Sequence, residues 1–66
     1  MNKFKVGDTV QVTDQFPHAT GKVIESSTWG IINGHGQNDN PCYRVKCDTW
    51  ASPNWIDENN LKEPTP

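Results

Sequence analysis

Sixty-six residues can enclose one hydrophobic core and exclude a second domain. Six Lys and Arg stand against eight Asp and Glu, for a net charge of −2, which argues against binding driven by nucleic-acid phosphates, since that leaves a basic footprint. The longest apolar runs are a few residues, too short for a membrane-spanning helix.

The chain opens on Met1-Asn2-Lys3 without the apolar stretch of a secretory leader, so the cytoplasm is the expected compartment. From Phe4 to Val12, apolar groups stand at 4, 6, 10 and 12, the period of two that marks a half-buried strand. Gly7-Asp8 interrupts it with a turn or bulge. Asp14 to Gly21 reads as a loop, because Pro17 in Phe16-Pro17-His18 has no amide hydrogen to give a ladder. A second strand begins with Gly21-Lys22-Val23-Ile24-Glu25, and Trp29-Gly30-Ile31-Ile32 is suited to extending it. Asn33 to Pro41 is almost pure turn chemistry.

Cys42 to Asp48 forms the third clear strand, alternating Tyr43, Val45 and Cys47. Thr49 to Asn54 connects it to Trp55-Ile56. Asp57-Glu58-Asn59-Asn60 suits a single helical turn with acidic groups at its start and Leu61 as the plug behind it. Leu61-Lys62-Glu63 supplies a last short strand. The expected organisation is one barrel over 1–63 with a tail over 64–66. Its expected core is Phe4, Val6, Val10, Val12, Val23, Ile31 or Ile32, Tyr43, Val45, Trp55 or Ile56, and Leu61.

Cys42 and Cys47 are separated by five strand steps of roughly 3.3 Å, about 16 Å between Cα atoms. A disulfide needs less than about 7 Å, so both are expected as free thiols. Their odd spacing sends them to opposite faces, Cys47 to the core beside Tyr43 and Val45, and Cys42 to the exposed side near Arg44. No Cys-x-x-Cys or His-x-x-x-His pair unites His18, His35, Cys42 and Cys47, so no metal site is expected. Neither a glycine-rich phosphate loop nor an oriented nucleophile and base is legible, and no cofactor or catalytic residue is assigned.

Five short strands with one helical turn before the last make an all-β, SH3-like layout. The residues that carry this resemblance are Val6-Gly7-Asp8-Thr9-Val10-Gln11-Val12, Gly21-Lys22-Val23-Ile24, Tyr43-Arg44-Val45 and Trp55-Ile56-Asp57-Glu58-Asn59-Asn60-Leu61. Three branches of such barrels bear on function. The opening Phe4 and Val6-Gly7-Asp8, with the spacing from Ile56 to Leu61, resemble the type II dihydrofolate reductases, tetramers around one pore. Their diagnostic Val-Gln-Ile-Tyr segment falls here on Pro53-Asn54-Trp55-Ile56, which replaces the ligand-reading glutamine and tyrosine. The first two strands resemble the KOW-type barrels of ribosomal and transcription factors. That resemblance implies aromatic stacking on unpaired bases, with Lys22, Arg44 and Lys46 at phosphates. The outline is also similar to small SH3-like accessory subunits of photosynthetic electron-transfer complexes, which implies protein–protein contacts.

The last branch accords best with an acidic chain that has three Trp, more than so small a core can enclose. Trp29 and Trp50 lie beside loop chemistry, where rigid aromatics anchor interfaces. The expected function is therefore a non-enzymatic binding module or accessory subunit. Trp29, Tyr43, Trp50 and His35 are the expected partner contacts, with 26–41 as an adaptable wall. A protein partner is expected, and homo-oligomerisation would bury surface that the monomer leaves exposed.

Overall fold

In the computed structural model, residues 3–14, 18–34 and 36–64 are described. The first strand of the expected pattern divides at Gly7. Lys5 to Asp8 make a turn closed by Asp8 N–H on the Lys5 carbonyl at 3.0 Å and by Lys5 N–H on Asp8 Oδ2 at 3.0 Å. Gly7 takes φ 98° at its third position, a conformation that side chains with a Cβ resist. β1 then runs over Thr9–Val12, β2 over Ala19–Thr28, β3 over Pro41–Cys47, β4 over Asn54–Asp57 and β5 over Leu61–Lys62.

All neighbours are antiparallel, in the order β4-β3-β2-β1-β5. A 3₁₀ turn, Glu58–Asn60, stands before the last strand, with Asp57 as its cap. The all-β fold, its five strands and the helical turn thus agree with expectation. β4 and β5 are opposite edges of the sheet, yet three residues separate them in sequence. Four strand spacings would hold the edges of a flat sheet about 19 Å apart, whereas four extended steps reach about 14 Å. The sheet is therefore curled. Thr13 N–H donates to the Asn60 carbonyl at 2.8 Å and fastens the end of β1 to the connecting turn. No ladder joins β4 to β5 among the described residues.

Curling encloses Phe4, Val10, Val12, Val23, Tyr43, Val45, Cys47, Ile56 and Leu61 in one cluster, with Ala19 and Trp50 packed against it. The choice between Trp55 and Ile56 falls to Ile56, which lies across from Tyr43, while Trp55 lies across from Arg44 on the other face. Val6 is a correction: the turn at Gly7 breaks the alternation, and the side chain is 60% exposed.

The segment after β2 is a second correction. Trp29–Asn33 forms one helical turn, α1, instead of more strand. Thr28 Oγ1 accepts from Ile31 N–H at 3.4 Å, and Gly34 ends the turn at φ 79°. These are ordinary start and stop signals, and they override the β preference of two consecutive isoleucines. Ile31 is consequently exposed and Ile32 half-buried, and neither joins the core. Among the described residues no helix is long and apolar enough to cross a membrane.

Candidate functional site

The expected partner contacts do not converge. Tyr43 is a correction, because it is fully buried. Its ring meets Phe4 edge-on at 5.5 Å. Its hydroxyl donates to Glu58 Oε2 at 2.7 Å and accepts from Phe4 N–H at 3.2 Å. Burial, followed by the bond to Glu58, pushes the phenol pKa up from its ordinary 10.0. Such a ring belongs to the core and presents nothing to a partner.

Trp29 and Trp50 lie at opposite ends of β3. Trp29 N–H bonds to the Asn40 carbonyl just before the strand, and Trp50 N–H to the Cys47 carbonyl at its end. Seven residues of strand span about 20 Å. Trp29 is half-buried, and its indole N–H donates to Asp57 Oδ1 at 2.8 Å. Trp50 is half-buried against the core cluster. His35 lies outside the described residues.

Cys42 also departs from expectation. It faces away from the core cluster but is fully buried. Its cross-strand neighbour is Asp57, the carboxylate that receives the Trp29 indole, so α1 covers this part of the outer face. Both cysteines are free. Burial first, then the Asp57 charge, raises the Cys42 thiol above its ordinary 9.0; burial likewise raises Cys47. Raised thiols are poor nucleophiles. No group of three or more His, Cys, Asp and Glu suited to a metal ion occurs among the described residues.

The three expected phosphate contacts share the outer face but differ in availability. Arg44 pairs with Glu25 at 3.4 Å in an exposed ion pair. The Lys46 ammonium donates to the carbonyls of Cys47 at 2.9 Å and Trp50 at 2.6 Å, which makes it a brace for the turn after β3. Lys22 stands directly opposite Lys46 in the β2–β3 register. Its side chain is exposed and makes no hydrogen bond or ion pair with a described residue.

Around Lys22 the curled sheet forms a groove of about 490 Å³ lined by Thr9, Thr20, Gly21, Lys22, Ile24, Lys46 and Asp48. Its floor crosses β1, β2 and β3, where Thr9 is paired with Lys22 and Lys22 with Lys46. At Ile24 the β2–β3 register slips, so that Val23 opposes Val45 but Glu25 opposes Arg44. Such a bulge sets two residues against one. Ile24 remains 45% exposed. The sequence places Lys22 on the second strand but Thr20 in the loop before it, whereas β2 begins at Ala19; the bulge leaves no trace in the sequence.

Of the Pro53-Asn54-Trp55-Ile56 segment set against the reductase signature, the last three residues lie on β4. Here Asn54 is exposed, Trp55 half-buried and Ile56 part of the core. Comparison with known proteins finds no matching family model, no similar curated protein and no similar solved structure.

Proposed function

We propose that this protein is a non-enzymatic binding module whose partner, another protein, docks in the outer-face groove between β1 and β3. One observation carries this reading. The groove joins Lys22, whose ammonium has no partner among the described residues, to an exposed apolar side chain, Ile24, on a floor of paired strands. A rigid sheet bearing an apolar contact and a few fixed polar groups is the ordinary make-up of a recognition surface. Neither Trp29 nor Trp50 lines this groove; Trp50 packs against the core and its carbonyl holds the Lys46 ammonium.

Photo-crosslinking tests the assignment. A benzophenone side chain at Thr20, which is exposed on the groove wall, is expected to give one discrete protein adduct in extracts of the producing cell. The same group at exposed Asn59, outside the groove, is expected to give none. Equal labelling from both positions, or none from Thr20, would remove the groove. An adduct of twice the chain mass would identify the partner as a second copy. The competing reductase-like reading requires a tetramer stabilised by NADPH and folate, which light scattering and a thermal-shift scan detect.

A further inference from the structure

Lys22 and Lys46 form an electrostatically unfavourable pair, because like charges directly opposite across two strands repel. Lys46 is relieved by two carbonyls. Lys22 has no such relief among the described residues, although the chain as a whole carries −2. The groove is thus a local excess of positive charge on an acidic protein, and among the described residues its unengaged cation is Lys22 on β2. Two residues further along the same strand, Ile24 lines the same groove. Alternate residues of a strand point one way and lie about 6.6 Å apart. The bulge at Ile24 perturbs that spacing locally, yet both side chains are exposed and line the same groove, so an extended peptide laid along β2 would meet both.

We propose that the groove takes an extended acidic segment of a partner protein. Its Asp or Glu carboxylate meets Lys22 Nζ, and an apolar side chain two residues away packs on Ile24. The proposal rests on the binding-module reading and adds the chemistry of the ligand. Asp48 on the groove wall sharpens the class. A continuous polyanion would run against that carboxylate, whereas a peptide with a single acid need not. Arg44, engaged with Glu25, and Lys46, engaged with carbonyls, offer little to a phosphate backbone, whose affinity grows with each phosphate neutralised.

The test is selection from a phage-displayed library of random heptapeptides on the folded protein, followed by amide-shift mapping of the enriched peptides. Enriched sequences are expected to place Asp or Glu two positions from Val, Ile, Leu or Phe. Their shifts are expected at Thr9, Thr20, Lys22, Ile24 and Asp48. Lys22→Glu, an exposed change whose amide spectrum verifies the fold, is expected to weaken these peptides roughly tenfold or more, the worth of a charged hydrogen bond. The same variant is expected to select Lys or Arg at the acidic position.

An unchanged consensus on Lys22→Glu would overturn the acidic chemistry while leaving the groove as the binding face. Enriched peptides that map elsewhere, or no enrichment, would overturn both. A mixed-sequence single-stranded oligonucleotide serves as the second probe. Groove shifts with it that Lys22→Glu abolishes would overturn the peptide assignment in favour of nucleic acid.

Discussion

Asp57 and Trp29 join α1 to the 3₁₀ turn Glu58–Asn60. The indole N–H of Trp29, the first residue of α1, donates to Asp57 Oδ1 at 2.8 Å, while Asp57 Oδ2 accepts from Asn59 N–H at 2.9 Å to cap the 3₁₀ turn. Both carboxylate oxygens are thus engaged. A capping group is worth about 1 kcal/mol, and a hydrogen bond to a charged acceptor about 1.5–3 kcal/mol. Asp57→Ala is expected to cost about 2–4 kcal/mol in urea unfolding. Asp57→Asn, which keeps one acceptor oxygen, is expected to lose about half of that. Equal stabilities for wild type and Asp57→Ala would show that neither bond matters in solution.

The hydroxyl of Tyr43 ties the N-terminal segment to the 3₁₀ turn. Glu58 Oε2 accepts from it and from Lys3 N–H at 2.9 Å, and the hydroxyl itself accepts from Phe4 N–H. Tyr43→Phe keeps the ring that packs on Phe4 but strands a buried amide. We expect a loss of about 1–3 kcal/mol, with faster hydrogen exchange at the Phe4 amide. Glu58→Ala is expected to lose less, since Glu58 is half-buried and water can replace it. A double-mutant cycle isolates the pair, and additive losses would mean that Tyr43 and Glu58 are not coupled.

Three buried groups give stability a definite dependence on alkaline pH. Burial is the leading cause that lifts the Tyr43 phenol above 10.0 and the Cys42 and Cys47 thiols above 9.0. The fold therefore favours their neutral forms. Below the ordinary values folded and unfolded chains both hold these protons, and the contribution is complete. As pH rises past about 9, the unfolded chain releases them first, and stability falls until the folded groups ionise as well. Denaturation midpoints are expected to drop between pH 8 and 11. The combined Tyr43→Phe, Cys42→Ala and Cys47→Ala variant is expected to show a smaller drop from its own lower starting point. A wild-type midpoint that stays level across this range would contradict the burial of these groups.

Alternation carried most of the core, because Val10, Val12, Val23, Val45 and Leu61 all sit on the inward beat of their strands. It failed where the period itself was broken. Gly7 turns the chain ahead of β1 and throws Val6 outward, and the bulge at Ile24 has no residue type that announces it. Thr28 and Gly34 did announce α1, but five residues are too few for a helical period, and the isoleucine pair spoke for a strand. The site was legible only in part. Lys22 could be read as an outward cation, yet Arg44 and Lys46 looked equivalent to it. Their engagement with Glu25 and with the Trp50 carbonyl depends on register and turn geometry. Tyr43 was readable both as core and as contact, and its bond to Glu58 across the 3₁₀ turn decides for the core.

Gly30 gives a test in which local propensity and tertiary packing point in opposite directions. It is the second residue of α1, and on propensity alone replacing a helical Gly with Ala stabilises by about 1 kcal/mol. Gly30 is not among the glycines with positive φ, so alanine meets no backbone penalty. Its obstacle is Asn38. Gly30 N–H donates to the Asn38 carbonyl at 2.9 Å, and the Gly30 carbonyl accepts from Gly36 N–H at 3.0 Å. A Cβ at this position would lie 2.7 Å from both the nitrogen and the oxygen of Asn38. Those are backbone atoms, so the clash cannot be relieved by a side-chain rotation. Gly30→Ala is therefore expected to destabilise by about 1–3 kcal/mol, the usual cost of overpacking. It is also expected to move the amide signals of Gln37 and Asn38 while leaving those of β1 in place. A gain in stability would mean that the chain around Asn38 does not lie against α1 in solution, and the cover over Cys42 would have to be redrawn with it.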